Sequence, residues 1–153
     1  MFSRWSVFAA AAFLCAASFV RAENARRTPF IQEAAPAAPR PGGWTIPPGA
    51  DQEKNPLSGD PKAVATGKEL YGQKCKKCHG PGGLGDGPDA DPDHQEDMDL
   101  TVARRAARNP DGVVFYKIWN GRQKPKMPAQ KNDLSKEQIW AIVSYVQTLR
   151  QKP

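Results

Sequence analysis

The chain is short of the residues that several function classes depend on. It has three cysteines and two histidines among 153 residues. An odd cysteine count does not close a disulfide framework. A tetrahedral zinc site needs four ligands, commonly with a second cysteine pair, and the sequence has no such pair. The net charge of +6 comes without a long Lys/Arg run, which argues against nucleic acid as a partner. No segment alternates polar and apolar residues like a half-buried strand, and no internal repeat recurs. The apolar stretch at residues 7–20 is too short for a comfortable membrane span. A quarter of the chain is charged and the mean hydropathy is −0.64, so the mature protein is expected to be soluble.

What is present divides the chain into three parts. Arg4 precedes the uncharged stretch, and Val20-Arg21-Ala22 places short side chains at −3 and −1 of a cleavage site. Residues 1–22 therefore read as a secretory signal. Cleavage would remove Arg4, Arg21 and Cys15 and leave two cysteines in an exported, oxidising compartment. The expected location is periplasmic or secreted. The alternative is an uncleaved segment tethering the protein to the outer face of the inner membrane. A lipid on Cys15 is disfavoured, because Ala12-Phe13-Leu14 lacks the leucine that starts a lipobox. Residues 23–57 hold Pro29, Pro36, Pro39, Pro41, Pro47, Pro48 and Pro56. So many prolines exclude a helix, and the segment reads as a flexible, extended arm. Trp44 and Ile46 are its two residues suited to docking.

Residues 58–153 carry helical patterns only. Asp60-Pro61 is a cap followed by proline at the first helical position, and Val64, Gly67, Leu70, Tyr71 and Lys74 share one face. A glycine-rich loop spans 80–87, and a short helix is expected over 101–108. Asn109 and Pro110 open a third helix bearing Val113, Val114, Tyr116, Ile118 and Trp119, which stops at Asn120-Gly121. Ser135-Lys136-Glu137-Gln138 fits a capping box, and Ile139, Ile142, Val143, Val146 and Leu149 recur at helical spacing behind it. The fold class is all-α. So few short helices bury little apolar surface, and a large flat apolar cofactor would complete the core.

Cys75-Lys76-Lys77-Cys78-His79 is a C-x-x-C-H motif, the attachment site for such a cofactor. Each thiol adds to one haem vinyl group, and the adjacent His79 comes under the iron as proximal ligand. These residues have two other possible uses. One is a zinc set of Cys75, Cys78, His79 and His94; the other is a thioredoxin-like pair, which would sit beside a βαβ unit that is missing.

Residues 58–150 resemble the class I c-type cytochromes of bacteria. The resemblance rests on Gly67-x-x-x-Tyr71, Cys75 to His79, Gly80 to Pro88, Asn120-Gly121, Met127-Pro128 and a C-terminal helix with Tyr145. The proline-rich arm has no counterpart in it. The resemblance implies a cytochrome c fold around one covalent haem c, with Met127 as distal ligand. It also implies a Pro88 carbonyl that accepts the Nδ1–H of His79 and a Gly67 that lets the first helix cross the last. Met127 in a polar loop is unexplained by packing, which agrees with a ligand role; Met98 and His94 are its rivals. Both rivals sit among Asp86, Asp89, Asp91, Asp93, Glu96, Asp97 and Asp99, which read as a solvated loop, with a calcium site as the other use of such carboxylates. Trp119 and Tyr116 are candidates to line the haem or to pack the core, and Arg122 is a candidate for a haem propionate.

The function implied is one-electron transfer without catalysis, between a periplasmic donor such as a dehydrogenase and a respiratory acceptor. The alternatives are an electron-transfer subunit of a larger oxidoreductase and a haem-based ligand sensor. Lys74, Lys76 and Lys77 flank the motif, and Arg122, Lys124, Lys126 and Lys131 flank Met127. They form a basic rim suited to redox partners with acidic docking surfaces, with the acidic run 86–99 segregated elsewhere. The protein is expected to be a monomer.

Overall fold

The computed structural model describes residues 43–150. The expected signal at 1–22 and the arm up to residue 42 lie outside the described residues. Six α-helices follow in order: α1 Pro61–Lys74, α2 Lys76–His79, α3 Gln95–Met98, α4 Ala103–Ala106, α5 Asp111–Asn120 and α6 Lys136–Leu149. A 3₁₀ turn at Pro92–His94 leads into α3. The described residues contain no strand, only isolated bridges at Leu84–Asp99 and Arg122–Met127.

Local chemistry sets the ends of the long helices. The Asp60 side chain accepts from the Lys62 N–H at 2.8 Å, with Pro61 at the first position of α1. The capping box at α6 closes both ways: Gln138 N–H donates to Ser135 Oγ at 3.2 Å, and Ser135 N–H donates to Gln138 Oε1 at 2.8 Å. Helix α5 starts one residue later than the sequence suggests. Pro110 is its cap, and Asn109 uses its side chain elsewhere, donating to the Arg105 carbonyl and accepting from Lys117 Nζ.

Helices α1 and α6 form the main pair. Gly67 lies against the α6 backbone, and a Cβ there would run into the Ala141 carbonyl. Tyr71 meets Tyr145 edge-on, with ring centroids 5.1 Å apart. Ile139, Ile142 and Val143 are fully buried. Each such side chain stabilises the fold by about 1.5–3 kcal/mol relative to exposure. Helix α5 adds Phe115 and Ile118, and the Phe115 ring stacks on Trp140 at 4.3 Å.

The second part of the proline-rich arm is a correction to the reading of 23–57 as flexible. Residues 43–57 lie along the helices as a strap. Ala50 is buried, and its carbonyl faces Gly112 so closely that no Cβ fits there. The Gly112 N–H donates to the Glu53 carbonyl at 3.2 Å. Asn55 is buried and donates through Nδ2 to Ser144 Oγ at 2.8 Å and the Trp140 carbonyl at 3.1 Å, while its Oδ1 accepts from Leu57 N–H at 2.9 Å. Proline forbids a helix here without forbidding these contacts.

Candidate functional site

Helix α2 is a single turn that carries Lys76 to His79 of the C-x-x-C-H motif, with Cys75 as its cap. A turn this short leaves its last carbonyls without helical partners. The glycine-rich loop folds back to supply them: Gly85 N–H donates to His79 at 2.9 Å, Gly87 to Cys78 at 3.3 Å and Asp89 to Lys77 at 2.8 Å. This return leaves no room for a side chain at Gly87, whose Cβ would strike the Lys77 carbonyl. Tyr71 of α1 ties the loop down by donating its hydroxyl to the Gly80 carbonyl at 2.8 Å.

Cys75 and His79 line a cavity of 370 Å³ whose apolar walls include Leu100, Val114, Ile118, Ile142 and Val146. Met127 lines the same cavity. It is held in a tight exchange with Arg122, whose N–H and carbonyl each pair with Met127 at 2.8 Å. Gly121 turns the chain out of α5 into this hairpin with φ of 64°. Cys78 does not line the cavity; its thiol lies 3.6 Å from the Asp89 carbonyl.

His79 Nδ1 lies 2.7 Å from the carbonyl oxygen of Met98. A carbonyl only accepts, so Nδ1 carries the proton and Nε2 keeps a lone pair free for a metal. Burial pushes the His79 pKa below its ordinary value, and the Met98 carbonyl opposes that shift. The Pro88 expectation is thereby corrected. Pro88 is exposed, and the acceptor comes from the end of α3 instead. The segment 86–99 is therefore more than a solvated loop. The Leu84–Asp99 bridge and the bond from Leu100 N–H to the Gly83 carbonyl at 2.7 Å bring its end back against the motif.

Burial, with Cys78 nearby, pushes the Cys75 thiol up to about 12. A thiol held neutral in this way is a poor redox nucleophile, which argues against a thioredoxin-like pair. Among the described residues, no three His, Cys, Asp or Glu side chains converge as a metal set. Neither the zinc set with His94 nor a calcium cluster in 86–99 is assembled.

Two thiols spaced by a turn, an imidazole with Nε2 free, a thioether on the same cavity and apolar walls are the donor set that a covalent haem requires. The residues present fit that group. Trp119 and Tyr116 do not line the cavity. Trp119 stacks on Phe115 at 5.7 Å, and Tyr116 donates to Glu53 at 3.1 Å. Arg122 does line it, yet it is not part of a free basic rim. Its side chain is 15% exposed and faces Asp97 at 3.8 Å, so the acidic segment is joined to the basic one here and not segregated from it. Trp44 of the strap also lines the cavity, a role the sequence signalled only as a docking aromatic among prolines.

Comparison with known proteins supports a c-type haem. The cytochrome c family model matches residues 64–150. No curated protein sequence matches the chain significantly. A solved structure of a reducing HAO-like protein complex from Kuenenia stuttgartiensis superposes with a TM-score of 0.53 at 29% identity, covering 63% of this chain. The chain spans 47% of that relative's length.

Proposed function

The chain belongs to the cytochrome c family, with covalently bound c-type haem as its cofactor, and on that footing we propose that it is a mono-haem electron carrier of the cell envelope. Cys75 and Cys78 would hold the haem, and His79 and Met127 would ligate its iron. The observation that carries this reading is the convergence of Cys75, His79 and Met127 on one cavity with partly apolar walls, with His79 Nδ1 bonded and Nε2 free.

When bound, haem supplies a one-electron Fe(III)/Fe(II) couple. The protein's own contributions are positional. Met98 fixes the His79 ring and raises its basicity through Nδ1. The Arg122–Met127 exchange fixes the loop that presents the sulfur. Two protein ligands would leave no open position for peroxide or oxygen, which would suit a carrier. The side chains of Lys76, Lys77, Lys124 and Lys126 are exposed around the two ligand segments and favour an acidic redox partner.

The second reading is an electron-transfer subunit of a larger oxidoreductase. Its support is the solved relative, a chain of a protein complex that is about twice as long as the matched part. A denaturing gel stained for haem, followed by a redox titration of the purified protein, tests the carrier reading. Haem that stays on the boiled band and a single one-electron wave support it. A band without haem, or turnover of peroxide by the isolated protein, would contradict it.

A further inference from the structure

We propose that Trp44, which precedes the family-matched segment, is a positioning residue of the haem site. It holds Lys117 and Arg122 at the cation-rich end of the cavity, where they receive the haem's propionate carboxylates. This inference rests on the haem-carrier reading and adds a strap residue to the site.

Charge balance is the first argument. The cavity is lined by Arg105, Arg108, Lys117, Arg122 and Arg150, against the carboxylates of Asp97 and Asp99. Asp99 is committed to Thr101, accepting from its N–H at 2.8 Å and its hydroxyl at 2.7 Å. Asp97 is shared between Arg105 and Arg122, each at 3.8 Å, and Arg105 also faces the exposed Glu96 at 3.7 Å. Burial, reinforced by Arg122, Arg105 and Arg108 against the opposing pull of Asp97, lowers the Lys117 pKa to about 8. Such crowding is unfavourable unless an anion enters. Haem brings two carboxylates on the edge away from its thioether bonds, and Cys75 lines the same cavity as these cations.

The second argument is the placement of Trp44. Lys117 Nζ lies 4.9 Å and Arg122 Cζ 4.3 Å from the centroid of its ring. Indole is the strongest aromatic acceptor for cations. One ring thus joins two like charges, which are also held by Asp97 and the Pro125 carbonyl for Arg122 and by the Asn109 side chain for Lys117. The ring is itself fixed by its neighbours: Asn120 Nδ2 donates to the Thr45 carbonyl at 2.9 Å, and the Ala50–Gly112 and Asn55–Ser144 contacts secure the strap behind it.

Positive charge held near the haem disfavours Fe(III), which carries one more positive charge than Fe(II). Trp44 therefore raises the reduction potential. The test is potentiometry on holoprotein with Trp44→Leu, Trp44→Phe and a Lys117→Gln/Arg122→Gln background. Trp44→Leu keeps an apolar side chain but loses the ring. It should lower the ratio of reduced to oxidised protein at a fixed applied potential about threefold, or about 28 mV on the one-electron scale where tenfold is about 59 mV. Trp44→Phe should cost less than half of that. Both effects should vanish in the Lys117→Gln/Arg122→Gln background. Should Trp44→Leu assemble no holoprotein, Trp44→Phe carries the same comparison alone. An unchanged potential, or an equal fall with and without the two cations, overturns the proposal. Wild-type protein without covalent haem overturns the carrier reading instead.

Discussion

The carbonyl of Met98 sits 2.7 Å from His79 Nδ1, so the residue that orients the proximal imidazole comes from α3, well beyond the glycine-rich loop that follows the motif. The contact uses backbone, and this separates the side chain of Met98 from its position. Met98→Leu should leave spectrum and potential unchanged. Gly85→Ala should not, because Gly85 has φ of 75° and a Cβ there would lie 2.6 Å from the Gln95 carbonyl, displacing the segment that presents Met98. A weaker Nδ1 bond makes the imidazole less basic and less able to stabilise Fe(III), so the potential should rise. Potentiometry on both variants checks the pair. A loss of low-spin character in Met98→Leu would instead make Met98 the distal ligand.

Gly67 is predicted to be the most sensitive point of the α1–α6 crossing. In an open helix, glycine to alanine stabilises by about 0.5–1 kcal/mol. Here the new Cβ meets the Ala141 backbone, which cannot move away as a side chain could. Overpacking of this kind costs about 1–3 kcal/mol. Gly67→Ala should therefore lower the denaturant midpoint of the holoprotein, whereas Gly72→Ala, which has open space at the Cβ, should not.

The strap sets a boundary that proteolysis can locate. Trimming from the N-terminus should leave the docked residues 44–57 on the haem core and should not reach residue 57. Asn55 is the strap's buried polar anchor, and removing it leaves Ser144 and the Trp140 carbonyl short of a partner. Asn55→Ala should cost about 1–3 kcal/mol in a denaturation curve. Faster cleavage between residues 43 and 57 should accompany that loss.

The helix ends and the attachment site were legible in the sequence because they are local. Asp60-Pro61, the capping box at Ser135 and Gln138, and Cys75 to His79 each need only their neighbours in the chain. Phe115 was overlooked within an apolar run because several residues of α5 compete for the core, and only the packing against Trp140 decides which is buried. The strap was hidden for a different reason. Its anchors Ala50 and Asn55 follow no period, and the proline count describes what the segment cannot form, not what it can touch. The proximal acceptor was misplaced because a carbonyl's position depends on the path of the whole 86–99 segment, which residue type does not report.

Docking on the lysine rim gives a kinetic prediction. The bimolecular electron-transfer rate with a native partner should fall as ionic strength rises, because exposed charges are screened over about 8–10 Å at physiological salt. Lys76→Glu and Lys126→Glu should blunt that fall. Arg122→Gln should blunt it less, since its charge faces Asp97 inside the cavity. A rate that is flat or rises with salt would remove the rim as the docking surface.

The most direct measurement of the central claim is the near-infrared spectrum of the oxidised protein before and after Met127→Ala. Met127 shares its cavity with Cys75 and His79, and the account has its sulfur on the iron. It predicts a weak sulfur-to-iron charge-transfer band in the wild type, and loss of that band in the variant with a lower potential and new carbon monoxide binding. A wild-type protein that lacks the band, or a Met127→Ala protein that keeps it, would contradict the account.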